Sequence, residues 1–226
     1  MTTPRYATVV LDVDSTVSGI EGIDWLAGRR GGDVARKIAA LTDDAMRGAI
    51  PLERVYGERL RLIKPRRDEV DALARAYVDA LAPGCAVALA ALRRGGVDVM
   101  LVSGGLRNAL FRLTLALGLD EQSLHAVDAH FDAGGAYTGF DESSPLATST
   151  GKRTVVARAG ATRPTLMVGD GSTDLAARPA CDAFAAYTGF VRRESVVSAA
   201  DAEVRSFAEL ETMVMGPVAF SRYNRQ

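Results

Sequence analysis

Residues 7–16 read Ala7-Thr8-Val9-Val10-Leu11-Asp12-Val13-Asp14-Ser15-Thr16. The apolar run at residues 7–11 is typical of a parallel strand that is buried on both faces of its sheet. Because side chains alternate along a strand, Asp12 and Asp14 can point the same way near the strand's end. An unpaired buried carboxylate is very costly, so these acids must meet a metal ion, a substrate or solvent. Ligands of parallel sheets bind just outside the carboxyl ends of the strands, which makes this end a candidate catalytic site.

Two further apolar runs also end in polar, glycine-rich sequence. Residues 97–102 lead into Ser103-Gly104-Gly105, and residues 165–168 lead into Gly169-Asp170-Gly171-Ser172-Thr173-Asp174. Other patterns predict helices at residues 85–94, 106–117 and 152–159, a β-hairpin at 127–140 and a short strand at 183–186. Strands that alternate with helices predict an α/β fold with a mostly parallel sheet.

The stretch between the first two predicted strands is too long for a simple crossover. Residues 22–80 are charged, lack strand alternation and repeat apolar residues at helical spacing, so we predict a helical cap inserted after the first strand. The catalytic core then comprises residues 1–21 and 81–226. Within the cap, Arg59 lies near the centre of an apolar stripe. A cation there either snorkels to the surface, pairs with an acid or awaits an anionic ligand.

The composition is that of an ordinary globular protein, with 226 residues, 48% hydrophobic, 24% charged and a net charge of −1. This charge gives no reason to expect nucleic acid or an anionic membrane as a partner. There is no apolar run of about 18 residues that would cross a membrane. The N-terminus enters the first strand directly, so we expect no signal peptide. Cys85 and Cys181 lie far apart, so we expect reduced thiols in a cytoplasmic protein.

Acids at two strand ends indicate a metal site. Asp170 and Asp174 join Asp12 and Asp14 if the first and third strands end at the same sheet edge. Repulsion among these carboxylates calls for a hard cation, and oxygen ligands suit Mg²⁺. Because neither cysteine nor histidine accompanies the acids, zinc is disfavoured. The alternative for Asp170 and Asp174 is a turn followed by a helix N-cap, and Asp174 taken by itself would fit it well.

Ser103-Gly104-Gly105 offers a hydroxyl and backbone N–H groups at the start of a predicted helix, an arrangement that suits phosphate. Lys152 adds a positive charge, although a plain turn and a surface lysine are the alternatives for these two features. The cysteines lack an arginine six positions later, and the chain has only two histidines. Thiolate and histidine phosphatase chemistry is thereby excluded, which leaves nucleophilic catalysis by a carboxylate.

Taken in order, the segment at residues 12–16, Ser103-Gly104-Gly105, Lys152 and the segment at residues 169–174 resemble the four motifs of the haloacid dehalogenase-like hydrolases. Two further patterns resemble the phosphoserine phosphatase family within them. They are Asp12-Val13-Asp14-Ser15-Thr16-Val17 followed by Glu21-Gly22-Ile23-Asp24, and Ala45-Met46-Arg47-Gly48 followed by Leu52 and Arg59. The resemblance implies a Rossmann-like three-layer core with a small helical cap near the first catalytic loop.

The resemblance also implies catalytic roles. Asp12 would attack the phosphorus and form an aspartyl-phosphate. Asp14 would protonate the leaving oxygen and then deprotonate the hydrolytic water. Mg²⁺ would be held by the Asp12 carboxylate, the backbone carbonyl of Asp14, Asp170 and, directly or through water, Asp174.

Substrate contacts are implied in the same way. The phosphoryl oxygens and their surroundings would be bound by Ser103, Gly104, Gly105, Lys152 and Thr173. Arg59 would bind the substrate carboxylate and Glu21 its ammonium group, while Met46 and Leu52 would close the site to water. From the residues alone, Glu21 equally suits stabilisation of the next helix, and Met46 suits core packing. Thr173 and Leu52 depart from the asparagine and the aromatic residue that are common in the family.

The predicted function is Mg²⁺-dependent hydrolysis of O-phosphoserine, a small phosphorylated metabolite, to serine and phosphate. One alternative is action on another small phosphometabolite, including transfer of the phosphoryl group to a hydroxyl such as that of homoserine. Another is a non-catalytic phosphometabolite-binding regulator. The intact acids and Lys152 argue against a regulator, because binding alone does not need both a nucleophile and a general acid.

Overall fold

The structure, a computed structural model, describes residues 3–216 of the chain, so the predicted core beyond residue 216 lies outside the described residues. The strands are β1 (Thr8–Leu11), β2 (Asp98–Leu106), β3 (Leu124–Val127), β4 (Ala129–Phe131), β5 (Tyr137–Phe140), β6 (Thr165–Gly169), β7 (Ala183–Tyr187) and β8 (Ala202–Val204). The α-helices are α1 (Gly22–Ala27), α2 (Gly32–Met46), α3 (Leu52–Ile63), α4 (Arg67–Asp79), α5 (Cys85–Arg94), α6 (Arg107–Ala116), α7 (Gly151–Arg158), α8 (Ser172–Leu175), α9 (Glu194–Val197) and α10 (Phe207–Met215). Short 3-10 turns cover Gly28–Arg30, Glu121–Ser123, Pro145–Ala147 and Arg178–Ala180.

Six strands form one parallel sheet in the order β3-β2-β1-β6-β7-β8, flanked by helices. β1 pairs with β2 on one side and with β6 on the other, so that Thr8 lies opposite both Asp98 and Thr165. The central position of β1 leaves Val9, Val10 and Leu11 without exposed surface, which explains the unbroken apolar run. The predicted α/β fold is confirmed. The carboxyl ends of β1, β2 and β6 therefore lie side by side.

The strand β2 differs from its prediction, because it continues through Ser103-Gly104-Gly105 and the helix α6 begins only at Arg107. β2 and β3 pair at Val102 with His125 and next at Leu106 with Val127, so four positions of β2 match two of β3. The extra residues bulge out of the ladder, as strands do where a side chain must be re-aimed. The expected phosphate-binding amides therefore belong to a bulged strand, and not to a helix start.

Sequence patterns miss the two edge strands of the sheet. β3 covers four residues and stands directly before the antiparallel hairpin of β4 and β5, whose predicted range takes in its last residue. β8 covers only three residues, too few for a period of two to be recognised. Both strands are defined by their pairing with a neighbour more than by their own sequence.

Four helices, α1 to α4, occupy the long insertion between β1 and α5. α1 packs on α2, α3 and α4, and α4 packs in addition on α6 of the core. Arg30 donates from Nε to the carbonyl of Ile63 at 2.6 Å and from Nη1 to Glu69 at 2.7 Å, which ties α3 to α4. The insertion begins directly after the loop that carries Asp12 and Asp14, so its helices lie beside the carboxyl edge of the sheet.

Candidate active site

Three acids from two strand ends meet at this edge. Asp12 follows β1, Asp170 follows β6, and Asp174 lies in the first turn of α8, which β6 leads into. All three are buried, and one carboxylate oxygen of each lies within 4.8 Å of the others. Burial raises the pKa of Asp12, and the neighbouring charge of Asp174 raises it further. The structure therefore brings together three of the acids that the sequence analysis singled out.

Lys152 joins two of these acids. Its Nζ donates to Asp12 at 2.5 Å and to Asp174 at 2.6 Å, and the residue is only 5% exposed. Burial disfavours its charge, yet the two carboxylates hold its pKa above the usual range. The lysine lies in the first turn of α7, which begins so close to the preceding chain that a Cβ on Gly151 would lie 1.7 Å from the Pro145 carbonyl. The surface-lysine alternative is wrong for this position.

Asp14 is held separately from the other acids. One carboxylate oxygen accepts hydrogen bonds from the Gly22 amide at 2.8 Å and the Tyr77 hydroxyl at 2.6 Å, and the other lies 3.4 Å from the Ser103 hydroxyl. Burial raises the pKa of Asp14, while the hydrogen bonds from Tyr77 and Gly22 oppose that rise. A carboxyl group with a raised pKa that lies beside a carboxylate is suited to general acid and base catalysis.

Ser103 and Gly105 lie beside Asp14. The Ser103 hydroxyl is fully buried and accepts a hydrogen bond from the Gly105 amide at 2.8 Å. A Cβ on Gly105 would come within 3.3 Å of an Asp14 oxygen and within 3.1 Å of the Ser103 hydroxyl. Glycine is thus needed here for space beside the acid.

Arg59 projects from α3 of the insertion toward the same site and is only 3% exposed. Its Nη1 donates to the Thr42 hydroxyl at 2.8 Å, and that hydroxyl donates to Asp24 at 2.6 Å. Within residues 3–216, its Nε has no hydrogen-bond partner. Arg59 therefore does not snorkel, and it reaches an acid only through Thr42.

Glu21 stands at the start of α1 but makes no capping hydrogen bond with its side chain. It accepts a hydrogen bond from the Ser15 hydroxyl at 2.7 Å. Burial, and then the nearby charge of Asp14, raise its pKa to about 7. A half-buried acid of this kind is suited to receive a cation.

One cavity connects these side chains. Its lining comprises Asp12, Asp14, Glu21, Gly22, Ile23, Met46, Tyr56, Arg59, Gly104, Gly105, Leu146, Thr148, Lys152, Asp170 and Thr173. Ser103 and Asp174 contact lining residues from behind, whereas Leu52 is buried at the start of α3 and does not line the cavity. The cavity volume is about 40 Å³. Since one water needs roughly 10–15 Å³, the cavity has room for only a few water molecules.

Known proteins are similar to this chain in sequence and in fold. Residues 6–182 match the family of haloacid dehalogenase-like hydrolases. The phosphoserine phosphatase of Rattus norvegicus is 37% identical over 205 residues, covering 89% of this chain and 90% of that protein. The chloroplastic phosphoserine phosphatase of Arabidopsis thaliana is 37% identical over 207 residues, covering 89% of this chain and 70% of that protein.

This chain belongs to the phosphoserine phosphatase family of the haloacid dehalogenase-like hydrolases. A solved structure of a phosphoserine phosphohydrolase-like protein from Francisella tularensis has the same fold. Its TM-score is 0.85 at 21% identity, and the match covers 92% of this chain and 99% of that one. The Rossmann-like core implied by the resemblance is confirmed.

Three residues that contact the site of this phosphoserine phosphatase-family protein escape sequence reasoning. Tyr77 bonds to Asp14 and Tyr56 to the Gly104 carbonyl, but each occupies an inward position of an amphipathic helix and is typical of core packing there. Arg193, with a side chain 9% exposed, forms an ion pair with Asp170 from a loop near the start of α9. Nothing in one sequence distinguishes it from the exposed arginine beside it.

Replacement of the buried lysine tests the electrostatic description of the site. In Lys152→Met, Asp12 and Asp174 lose the cation that contacts them both, and we expect the free energy of unfolding to fall by about 3 kcal/mol. Urea denaturation without divalent cations measures the change. In the control Lys37→Met, an exposed lysine loses its partner Glu58 at 3.3 Å, and the change should stay below about 1 kcal/mol. Equal effects in the two variants would contradict this description.

Proposed function

We propose that this chain is a Mg²⁺-dependent phosphatase that hydrolyses O-phosphoserine to serine and phosphate. The observation that carries the proposal is that Arg59 and Glu21 line the same small cavity as Asp12 and Lys152. A cation and an acid placed together match the carboxylate and the ammonium group of an amino acid. The family to which the chain belongs supports hydrolysis over phosphoryl transfer to a second hydroxyl.

The first half-reaction makes a covalent intermediate. An Asp12 carboxylate oxygen forms a bond to phosphorus while the bond between phosphorus and the seryl oxygen breaks. Asp14 gives its proton to that oxygen, so serine leaves as the neutral alcohol. Glu21 binds the ammonium group of the substrate and Arg59 its carboxylate, which fixes the phosphoryl group against Asp12.

The second half-reaction returns the enzyme. Asp14, now a carboxylate, takes a proton from a water molecule as the water oxygen bonds to phosphorus. The bond from phosphorus to Asp12 breaks, phosphate leaves, and both acids are restored. Lys152, Ser103, Thr173 and the amides of the segment at residues 103–105 stabilise the negative charge on the phosphoryl oxygens in both steps.

The donor set suits Mg²⁺, since three buried carboxylates converge and no sulfur or imidazole ligand joins them among residues 3–216. Asp12, the backbone carbonyl of Asp14 and Asp170 would hold the ion, with Asp174 bound directly or through water. When bound, the ion supplies positive charge that offsets repulsion between the Asp12 carboxylate and the phosphoryl group.

The insertion serves as a cap in this proposal. Residues 22–80 form the cap, and residues 1–21 and 81–226 form the catalytic core. Met46 and Leu52 exclude water when the cap is closed, Met46 at the cavity wall and Leu52 from behind it.

None of the helices that the structure describes has both the length and the apolar character of a membrane span. Location in the cytoplasm stays a prediction.

Substrate discrimination tests the assignment. For Arg59→Gln, we expect kcat/KM for phosphoserine to fall by about 10- to 100-fold, because a charge-assisted contact with the carboxylate is lost. Hydrolysis of ethyl phosphate, which has no carboxylate, should change little. Arg61→Gln, on the exposed side of the same helix, is the matched control. Steady-state phosphate release measures all of these rates.

Each part of the proposal fails on a different result. Equal kcat/KM of the unmodified protein for phosphoserine and ethyl phosphate would remove the amino-acid assignment but leave a phosphatase. Turnover retained in Asp12→Asn would contradict covalent catalysis. A new phosphoester seen by phosphorus NMR after addition of homoserine would favour phosphotransfer.

The raised pKa of Glu21 predicts a pH dependence of substrate binding. Below pH 7 the Glu21 side chain is mostly protonated in the free protein. Above pH 7 it is charged and binds the ammonium group. We therefore expect KM for phosphoserine to fall as the pH rises through about 7, and Glu21→Gln to lose this fall. The substrate phosphate titrates near pH 6, so the profile for ethyl phosphate serves as the reference. Identical profiles for both esters would contradict the role of Glu21.

A further inference from the structure

Tyr56 joins the cap to the segment proposed to bind phosphate. It lies in α3, and its hydroxyl donates a hydrogen bond to the carbonyl of Gly104 at 2.6 Å. The residue is 1% exposed and lines the cavity, although Leu52, one turn earlier on the same helix, does not. The cap therefore contacts the phosphate-binding segment through a buried hydroxyl.

The ring of Tyr56 is fixed by its surroundings. The ring of Phe140 lies 5.1 Å away between centroids, and the guanidinium carbon of Arg59 lies 5.7 Å from the Tyr56 centroid. A Cβ on Gly104 would come within 3.9 Å of the Tyr56 ring and within 3.3 Å of the Leu146 carbonyl. Gly104 therefore meets the Tyr56 ring at ordinary contact distance, and the packing around the ring leaves the hydroxyl little freedom to point elsewhere.

The peptide group between Gly104 and Gly105 is held on both sides. Its carbonyl accepts from Tyr56, and its N–H donates to the Ser103 hydroxyl at 2.8 Å. In a planar trans peptide these two groups point in opposite directions, so the two hydrogen bonds fix the plane of the peptide. Ser103 in turn lies 3.4 Å from Asp14. The geometry of the phosphate-binding segment thus depends on a hydroxyl that belongs to the cap.

Two other contacts between cap and core lie away from this segment. The Leu52 amide donates to the Ser149 hydroxyl at 2.8 Å, and the Ser172 hydroxyl donates to the Ala45 carbonyl at 2.9 Å. Because the cavity of about 40 Å³ is too small for a substrate, binding requires that the cap moves and that contacts between cap and core open and re-form. Among them, the Tyr56 bond is the one that holds a peptide of the segment lining the cavity.

We infer that Tyr56 is a positioning residue that couples closure of the cap to the geometry of the phosphate-binding segment. The inference deepens the proposed function and rests on it. Tyr56 acts through the Gly104 peptide, and so it serves every phosphate ester that enters the site, whatever the rest of the molecule. Arg59, by contrast, recognises the carboxylate.

The test removes the hydroxyl and keeps the ring. In Tyr56→Phe we expect kcat to fall by about 10-fold for phosphoserine and by the same factor for ethyl phosphate, the loss expected of one well-placed hydrogen bond. KM for phosphoserine should rise by no more than the factor by which phosphate binding weakens, since Arg59 and Glu21 are untouched. Tyr137→Phe, on the hairpin outside the cavity lining, is the control and should match the unmodified protein.

Two further measurements do not depend on turnover. Inorganic phosphate, added in the presence of Mg²⁺, should bind Tyr56→Phe about 10-fold more weakly, as measured by calorimetry. Hydrogen exchange at the Gly105 amide should be faster in this variant, while exchange in β1 should stay unchanged and thus report an intact fold.

The outcomes separate the two proposals. Unchanged kcat, phosphate affinity and Gly105 exchange in Tyr56→Phe would overturn the inference. A loss confined to phosphoserine would also overturn it, because Tyr56 would then act on the amino-acid part. If the unmodified protein hydrolyses ethyl phosphate but shows no preference for phosphoserine, the proposed substrate fails, while the equal losses expected for Tyr56→Phe still test the coupling.

Discussion

The structure depends on holding several carboxylates of like charge together at one edge of a buried sheet. Asp12 and Asp174 are buried, and they share the Lys152 ammonium group. A charged group in such surroundings is strongly destabilising unless it is paired and hydrogen-bonded. This arrangement does not stabilise the fold in any direct way, because apolar residues of similar size would fill the space at lower cost. Its value lies in chemistry, which needs an acid that is dry, close to a cation and still able to react.

The backbone is adapted to this cluster. The parallel pairing of β1 with β6 places the loops that carry Asp12 and Asp170 next to each other. A Cβ on Gly169 would lie 2.2 Å from the Asp174 carboxyl carbon, so only glycine lets α8 turn back against its own strand. Gly151 does the same for α7 and Lys152. The apolar strands, the glycines and the charged residues are thus parts of one requirement, and they recur together in the sequence for that reason.

This requirement explains which features were predictable. The runs that become β1 and β6 are continuous because those strands are covered on both faces, and α5 matches its predicted range of residues 85–94. The helical insertion was visible because its length excludes a simple crossover. The bulge in β2, the edge strands and the partners Tyr56, Tyr77 and Arg193 depend on contacts between distant segments. The local periodicity of the sequence does not reveal such contacts. Arg59 stands between these cases, since its position in an apolar stripe was visible but its link to Asp24 through Thr42 was not.

Reductive trapping of the covalent intermediate is the most direct test of nucleophilic catalysis by Asp12. The protein is mixed with phosphoserine and Mg²⁺, quenched with borohydride and analysed by peptide mass spectrometry, since borohydride reduces an acyl phosphate to the alcohol. We expect conversion of Asp12 to homoserine, dependent on substrate, with no other aspartate modified. Homoserine at a different acid, or unmodified Asp12 in a preparation that is turning over, would contradict it.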